Sequence, residues 1–396
     1  MANILLGWEL GSNRGHIQHL VDLATALEAR GDKVAYALQQ VDALSGLVTN
    51  SPIIMQAPLW PRLLKTVTQP PAPTTATMAD ILDRIGLTQA GTLSAMVGGW
   101  DAILSMFKPD LVVADFAPAL GCAARDRIPT IGIGVPFCHP PASMEKFPNF
   151  FGNMPSHDQN EILAIVNREL ETAGRAAITT LPQLFAFDRM VVIGFTELDP
   201  YARWRSETLF APSIDIDTEL QLSSLDQRNE IFVYYYQSFG EVAPLWDALE
   251  ATQLPVRVYV PRLDQNAVLA LEKRGFIVER APVPWDKIAA RSRFVLSHGG
   301  AGFVSTALAV GLPQVIAYYD VEKMLTARAV GELGLGTHVY VSQIDPQLLS
   351  SELSRMYHDQ GIAARARSAS HHFRQQLSHS ALVGAITAAN ELLGRD

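Results

Sequence analysis

The stretch "SHGGAGFVSTALAVGLP" (297–313) sets His298 before Gly299, Gly300 and Gly302, and a short apolar run follows. Glycine lets the backbone turn tightly and approach a ligand closely. A helix starting at such a turn presents free N–H groups and a partial positive charge, which suits phosphate. The amides of Gly299, Gly300, Ala301 and Gly302 then form a cradle, and His298 adds a side-chain donor. A glycine turn alone is also how a strand packs tightly onto a helix, so the motif needs support from elsewhere in the chain.

A second constellation lies near the N-terminus. "GWELGSNRGHIQHL" (7–20) reads as a loop leading into a helix, with Ser12, Asn13 and Arg14 in the loop and His16 in the first helical turn. An imidazole there can take a proton from a hydroxyl near neutral pH; an isolated histidine is as often a cap or a surface residue. "LVVADFAPALG" (111–121) ends an apolar strand on Asp115. A buried acid needs a partner, and a carboxylate that orients a histidine makes it a better base; capping of the next helix is the plainer alternative. "DID" (215–217) looks like a metal-binding triplet but falls in a linker rather than at a strand end, and is read as chance. No Walker loop, zinc motif or nucleophile elbow is found.

These residues need elements to position them. "NILLGWEL", "KVAYALQ", "PIIMQAP", "DLVVADF", "TIGIGVP" and "MVVIGF" are apolar runs separated by helical patterns. The helix at 16–30 places Ile17, Leu20, Leu23, Ala24 and Leu27 on one face and ends at Gly31. The pattern restarts with "EIFVYYY", "PVRVYV", "FIVER", "RFVLSH", "PQVIAYY" and "THVYV". Strands apolar on both faces and separated by helices imply parallel sheets covered on both sides. The expectation is an α/β chain of two doubly wound, Rossmann-like domains facing across a cleft. The N-terminal domain is placed at 1–200, a linker at 201–228, the second domain at 229–375, and at 376–396 a C-terminal helix that is expected to return to the N-terminal domain. Proline-rich stretches at 58–78 and 139–160, the latter with Phe147, Phe150 and Phe151, suit the wall of an apolar ligand site or are ordinary surface loops.

Bulk properties narrow the class. The chain has 396 residues, 48% hydrophobic and 18% charged, with a formal net charge of −9. That balance, without a basic block, disfavours a nucleic-acid partner. Cys122 and Cys138 are the only cysteines, too few for a disulfide framework, and they suggest a reducing compartment. No run approaches the length of a membrane span and no leader is evident, so the expected location is cytoplasmic. "LWPRLLK" (59–65) is a weak hint of peripheral membrane contact. Nothing specifies the oligomeric state.

The chain resembles the family 1 glycosyltransferases of the GT-B fold, of the UDP-glycosyltransferase-like type found in bacterial macrolide and antibiotic biosynthesis. Their donor signature runs H-G-G-x-G-[ST]-x-x-E-A-L-x-x-G-V-P. Here His298, Gly299, Gly300, Gly302, Ala307, Leu308, Gly311 and Pro313 stand at matching spacing. The upstream W-V-P-Q aligns with Pro282, Val283, Pro284 and Trp285, and the downstream Asp-Gln pair with Glu322 and Lys323. "GHIQH" resembles the family's G-H-x-x-P start, with His19 for proline, and "VAD" resembles the segment whose aspartate pairs with that histidine. "YYYQSFGE" resembles a strand ending in G-S, with Ser238 able to reach a diphosphate.

The resemblance implies a metal-independent, inverting hexosyltransferase without a cofactor. Its co-substrate is a nucleoside-diphosphate sugar of UDP or dTDP type, and its acceptor a small, apolar molecule. His16 is the implied base and Asp115 its orienter. Ser238, Val283, Trp285, His298, Gly299, Gly300, Ala301, Gly302, Phe303, Thr306, Glu322 and Lys323 are the implied donor site, and Ser12, Asn13 and Arg14 the acceptor loop. Three departures bear on the donor. Phe303 replaces a hydroxyl residue, and Thr306 replaces the glutamate that holds the ribose diol. Lys323 replaces glutamine, where it suits a carboxylated sugar, touches the diphosphate, or is merely solvated. Without the glutamate, a deoxyribose donor such as a dTDP-sugar fits better than a UDP-sugar. Rival readings are a transferase on a lipid-linked acceptor, a nucleotide-sugar epimerase on the same fold, and a non-catalytic protein with a degenerate donor site.

Overall fold

The computed structural model describes residues 1–11, 14–48, 52–62, 75–152, 156–212, 214, 216, 217, 220, 222–235 and 242–395, with the side chain of Arg14 left out. The chain divides into two compact units, Met1–Ala211 with His379–Asp396, and Pro212–Ser378.

In the first unit the strands are β1 (Asn3–Trp8), β2 (Lys33–Leu38), β3 (Ile53–Gln56), β4 (Leu111–Asp115), β5 (Thr130–Gly134) and β6 (Arg189–Val192). They form one sheet in the order β3-β2-β1-β4-β5-β6, and every pairing is parallel. β4 and β5 are buried at every residue, as central parallel strands covered on both faces must be. The helix Arg14–Glu28 lays Ile17, Leu20, Val21, Leu23, Ala24 and Leu27 into the core on one side. The C-terminal helix Ala381–Leu392 joins the same core through Ala381, Ala385, Ala388 and Ala389. It approaches closely because its buried residues are small: a Cβ on Gly384 would meet the Phe210 ring. Arg395 clamps its end with two 2.7 Å bonds to Asp32.

The second unit repeats the plan with β7 (Glu230–Tyr234), β8 (Val256–Tyr259), β9 (Ile277–Val278), β10 (Ser292–Ser297), β11 (Gln314–Tyr318) and β12 (Gly336–Tyr340). The order is β12-β11-β10-β7-β8-β9, again parallel throughout. Trp246, Leu245 and Leu249 fill its core, and the Tyr235 hydroxyl donates to the Ala317 carbonyl at 2.7 Å.

Tertiary contacts absorb most of the stretch that composition marks as a linker. Residues 201–211 belong to the first unit and 212–228 to the second. Tyr201 is fully buried, and the buried Asp199–Arg205 ion pair holds Arg205 against the His139 carbonyl. Leu222 packs into the second core. Two loop readings also change. Trp60 of "LWPRLLK" is only 1% exposed, so its ring belongs to the core rather than to a membrane face; residues 63–74 lie outside the described ones. Phe147 and Phe150 point inward, Phe147 onto Phe185 and Phe150 onto Phe137 and Tyr201, which removes those two rings from a ligand-facing wall.

Trp60 leads to Glu9, a fully buried acid just past β1. Its carboxylate accepts from the Leu120 and Ala119 amides at 2.5 and 3.2 Å and from the Trp60 indole at 3.1 Å. Burial raises its pKa from 4.5 to about 7, against the opposing effect of those hydrogen bonds. A carboxyl with a raised folded-state pKa takes up a proton on folding. Its stabilisation is complete below about pH 4.5 and is lost as the pH climbs to about 7. Glu9→Gln keeps an acceptor for the amides but cannot titrate. Urea unfolding of the unmodified protein should therefore lose up to about 3 kcal/mol between those limits, and the Glu9→Gln curve should be flatter over the same range.

Candidate functional site

In a parallel sheet the loops leaving two adjacent strands diverge where the strand order reverses, and ligands gather at that point. In the first unit the reversal lies between β1 and β4. Their last residues, Trp8 and Asp115, are directly in register. Asp115 is fully buried. His16 Nδ1 lies 2.8 Å from Asp115 Oδ1, and His19 Nε2 lies 2.6 Å from Oδ2. Three residues apart, the two histidines share one face of the helix Arg14–Glu28.

Burial pushes the Asp115 pKa up, but the charges and hydrogen bonds of His16 and His19 outweigh it and hold the carboxyl well below its usual range. An ionised carboxylate only accepts, so both imidazoles donate to it. His16 thus spends its Nδ1–H on Asp115, and in the neutral ring the lone pair lies on Nε2. The Trp8 indole stacks on the His16 ring with centroids 5.6 Å apart and planes 20° apart. Gly11, at φ +84°, leaves room at that nitrogen: a Cβ there would sit 2.3 Å from His16 Nε2. A histidine held by a carboxylate in this way is chemically able to serve as an oriented general base.

His139, at the end of the turn after β5, is fully buried. It donates Nε2–H to the Ile133 carbonyl at 2.6 Å. Burial lowers its pKa to about 4, against the pull of the Asp115 charge. It is a neutral neighbour of the pair.

The second unit has the same reversal between β7 and β10, where Tyr234 and Ser297 are in register. His298 follows β10. Gly299 takes φ +92° and donates its N–H to Ser297 Oγ at 3.2 Å. A Cβ on Gly299 would lie 2.8 Å from Ile316 Cγ2, so conformation and space both require glycine. Gly300 caps the helix Ala301–Val310 without a side-chain acceptor for its first amides, which leaves them to an anion. His298 is buried; burial, with the Lys323 charge added, lowers its pKa to about 4, so at neutral pH it acts as an uncharged hydrogen-bonding group.

Lys323 is 7% exposed, which removes the solvated alternative. Its ammonium lies 2.8 Å from the Glu322 carboxylate. Burial lowers its pKa, but Glu322 and Asp320 outweigh that and hold it above the usual lysine value. The site thus pairs a permanent cation with a carboxylate, beside a neutral histidine.

Phe303 joins an aromatic group, with its ring centroid 4.9 Å from both Tyr234 and Trp285. Tyr234 in turn stacks on Tyr259 at 6.1 Å, and Val283 packs against the same cluster. The Thr306 hydroxyl donates to the Gly302 carbonyl at 2.7 Å, a bond within its own helix. Ser12, Asn13, the Arg14 side chain, Ser238 and Asp215 lie outside the described residues. His19 and Glu9, both packed at the strand ends of the first unit, carry no role in the sequence motifs. His19 was legible through its spacing from His16; Glu9 had no signal beyond being an acid at the end of an apolar strand. Gly299→Ala should destabilise the second unit by about 1–3 kcal/mol, visible as a lower Tm and as faster amide exchange in β10 and the helix Ala301–Val310.

Residues 276–381 match the family described as erythromycin biosynthesis protein CIII-like, C-terminal domain. The chain is 31% identical over 77 residues to the erythronolide mycarosyltransferase of Saccharopolyspora erythraea, a match spanning 19% of either protein. Among solved structures, CalG4, the calicheamicin glycosyltransferase, superposes with a TM-score of 0.69 at 19% identity, covering 100% of this chain and 98% of that one. The glycosyltransferase VinC, solved in complex with DTDP, gives 0.63 at 16% identity with both chains covered completely. Residues 276–381 are thus similar to the C-terminal domain of an erythromycin biosynthesis protein family, and the whole chain shares its two-domain fold with solved glycosyltransferases such as CalG4.

Proposed function

We propose that this protein transfers a hexose from a nucleoside-diphosphate sugar to a hydroxyl of a small apolar acceptor, with inversion at the anomeric carbon and without a metal ion. The observation that carries the reading is the His16–Asp115 contact at 2.8 Å between residues 99 apart in sequence. In this reading the acceptor hydroxyl gives its proton to His16 Nε2, and Asp115 stabilises the imidazolium. The acceptor oxygen attacks the anomeric carbon from the face opposite the diphosphate, and the bond to the diphosphate oxygen breaks. The departing negative charge is met by the amides of 299–302, by the His298 imidazole and by Lys323. Fixed dipoles and one buried cation can supply the electrostatic role that a metal plays elsewhere. The choice of a small apolar acceptor leans on the relatives, whose names mention erythronolide and calicheamicin.

Two features favour a dTDP-sugar over a UDP-sugar. The hydroxyl of Thr306 is committed to Gly302, so no carboxylate or free hydroxyl from that position meets a ribose diol. The VinC structure holds DTDP. A thermal-shift panel of UDP, dTDP, GDP and ADP tests the donor. At a hundredfold excess over Kd, the preferred nucleotide should stabilise by about 2.7 kcal/mol, with dTDP giving the largest shift; equal shifts for dTDP and UDP would remove the deoxyribose preference, and no shift from any nucleotide would favour a non-catalytic protein. His16→Ala should lower kcat by about 10²–10⁴-fold while leaving the nucleotide-induced shift intact. Full turnover in that variant removes His16 from the base role.

A further inference from the structure

Asp115 is held from both sides. A carboxylate has two oxygens to satisfy, and this one is fully buried. His16 takes Oδ1 and His19 takes Oδ2, the only two side chains that hold Asp115 among the described residues. His19 itself is nearly buried, with 15% of its side chain exposed. It stands on the same helix as His16, one turn along, so the two rings reach the carboxylate from one rigid element. On the adjacent strand β5, Gly134 leaves the carboxylate its space: a Cβ there would lie 3.3 Å from Asp115 Oδ1.

We propose that His19 is a positioning residue for the reaction, acting through Asp115 to set the ring orientation and tautomer of His16. The inference rests on the transfer reading above and extends it. Without the bond from His19, Oδ2 is an unpaired charged oxygen in a dry site. The carboxyl then either turns to share its remaining donor or picks up a proton. Both responses withdraw the acceptor that keeps the Nδ1–H of His16 in place, and with it the lone pair on Nε2. His19 touches no reacting atom in this scheme. Its effect falls on the chemical step and leaves donor binding alone. Moreover, it has no independent effect once His16 is gone.

The test compares His19→Phe, which keeps a ring but no nitrogen, with His19→Gln, whose amide nitrogen can replace Nε2 as donor. In the full-length protein, His19→Phe should lower kcat by about 10–100-fold with the donor KM unchanged, and His19→Gln should recover most of it. His16→Ala combined with His19→Phe should be no slower than His16→Ala alone. A second readout needs no turnover. The low-field proton resonance of His16 Nδ1–H, assigned by its loss in His16→Ala, should shift upfield or broaden away in His19→Phe and persist in His19→Gln. Wild-type kcat together with an unmoved resonance in His19→Phe overturns the proposal, as does a defect of equal size added on top of His16→Ala. If the unmodified protein transfers no sugar, the functional reading fails, and the coupling of His19 to His16 is decided by the resonance alone. Should His19→Phe not fold, the His19→Gln and His19→Asn pair reads the same coupling: the shorter amide of asparagine should lose the resonance that glutamine keeps.

Discussion

A parallel strand cannot return to its neighbour by a tight hairpin; it needs a crossover, and the crossover is a helix. Both units obey this constraint, and each contains one pair of adjacent strands whose crossovers leave in opposite directions: β1 and β4 in the first, β7 and β10 in the second. The loops that leave these pairs diverge, and the backbone between them is left open to ligands. His16 and Asp115 stand at one such point, and the His298 turn at the other. The helix after each turn presents its N-terminal end there, because the strand before it ends there. The same topology, used twice, thus offers one place for an oriented imidazole and another for an anion.

What makes these places chemical is that polar groups are buried in them with chosen partners. Asp115 and Glu9 are both fully buried carboxyls at the ends of neighbouring strands, yet their titration moves in opposite directions. Asp115 has an imidazole on each oxygen and stays ionised. Glu9 has only neutral amide and indole donors, and burial lifts its pKa to about 7. Both are equally buried, so the partners that each carboxyl meets separate the two. The second unit shows the mirror case. Lys323 keeps its charge because Glu322 lies beside it, and that cation helps to keep His298 neutral.

The departures from the family's donor signature have one physical theme. Phe303 gives up a hydroxyl and gains two ring contacts at 4.9 Å. Thr306 keeps a hydroxyl but spends it on its own helix. Phe303 turns to ring packing and Thr306 to a bond within its own helix, while the glycines and the helix start keep the family's pattern. In the proposed reading, this is why a donor with one fewer hydroxyl on its pentose is the expected ligand.

The sequence by itself determined the architecture and half of each site. Apolar runs with turn signals between them specify parallel strands, because only a sheet covered on both faces buries such runs. Gly299 has a backbone reason to be glycine: no other residue tolerates φ +92° with Ile316 so near. His16 and Asp115 were legible as candidates by type and by position at element ends. That they meet is decided only by the register of β1 against β4. The tertiary structure alone decided that His19 takes the second oxygen of Asp115, that Glu9 lies beneath the start of the helix Pro118–Ala124, and that Lys323 is buried against Glu322. It also decided that Trp60, Phe147 and Phe150 are core rather than ligand wall. A side chain's charge state and direction depend on what is packed around it, and packing joins residues that are about 100 positions apart in the chain, beyond the reach of any local pattern.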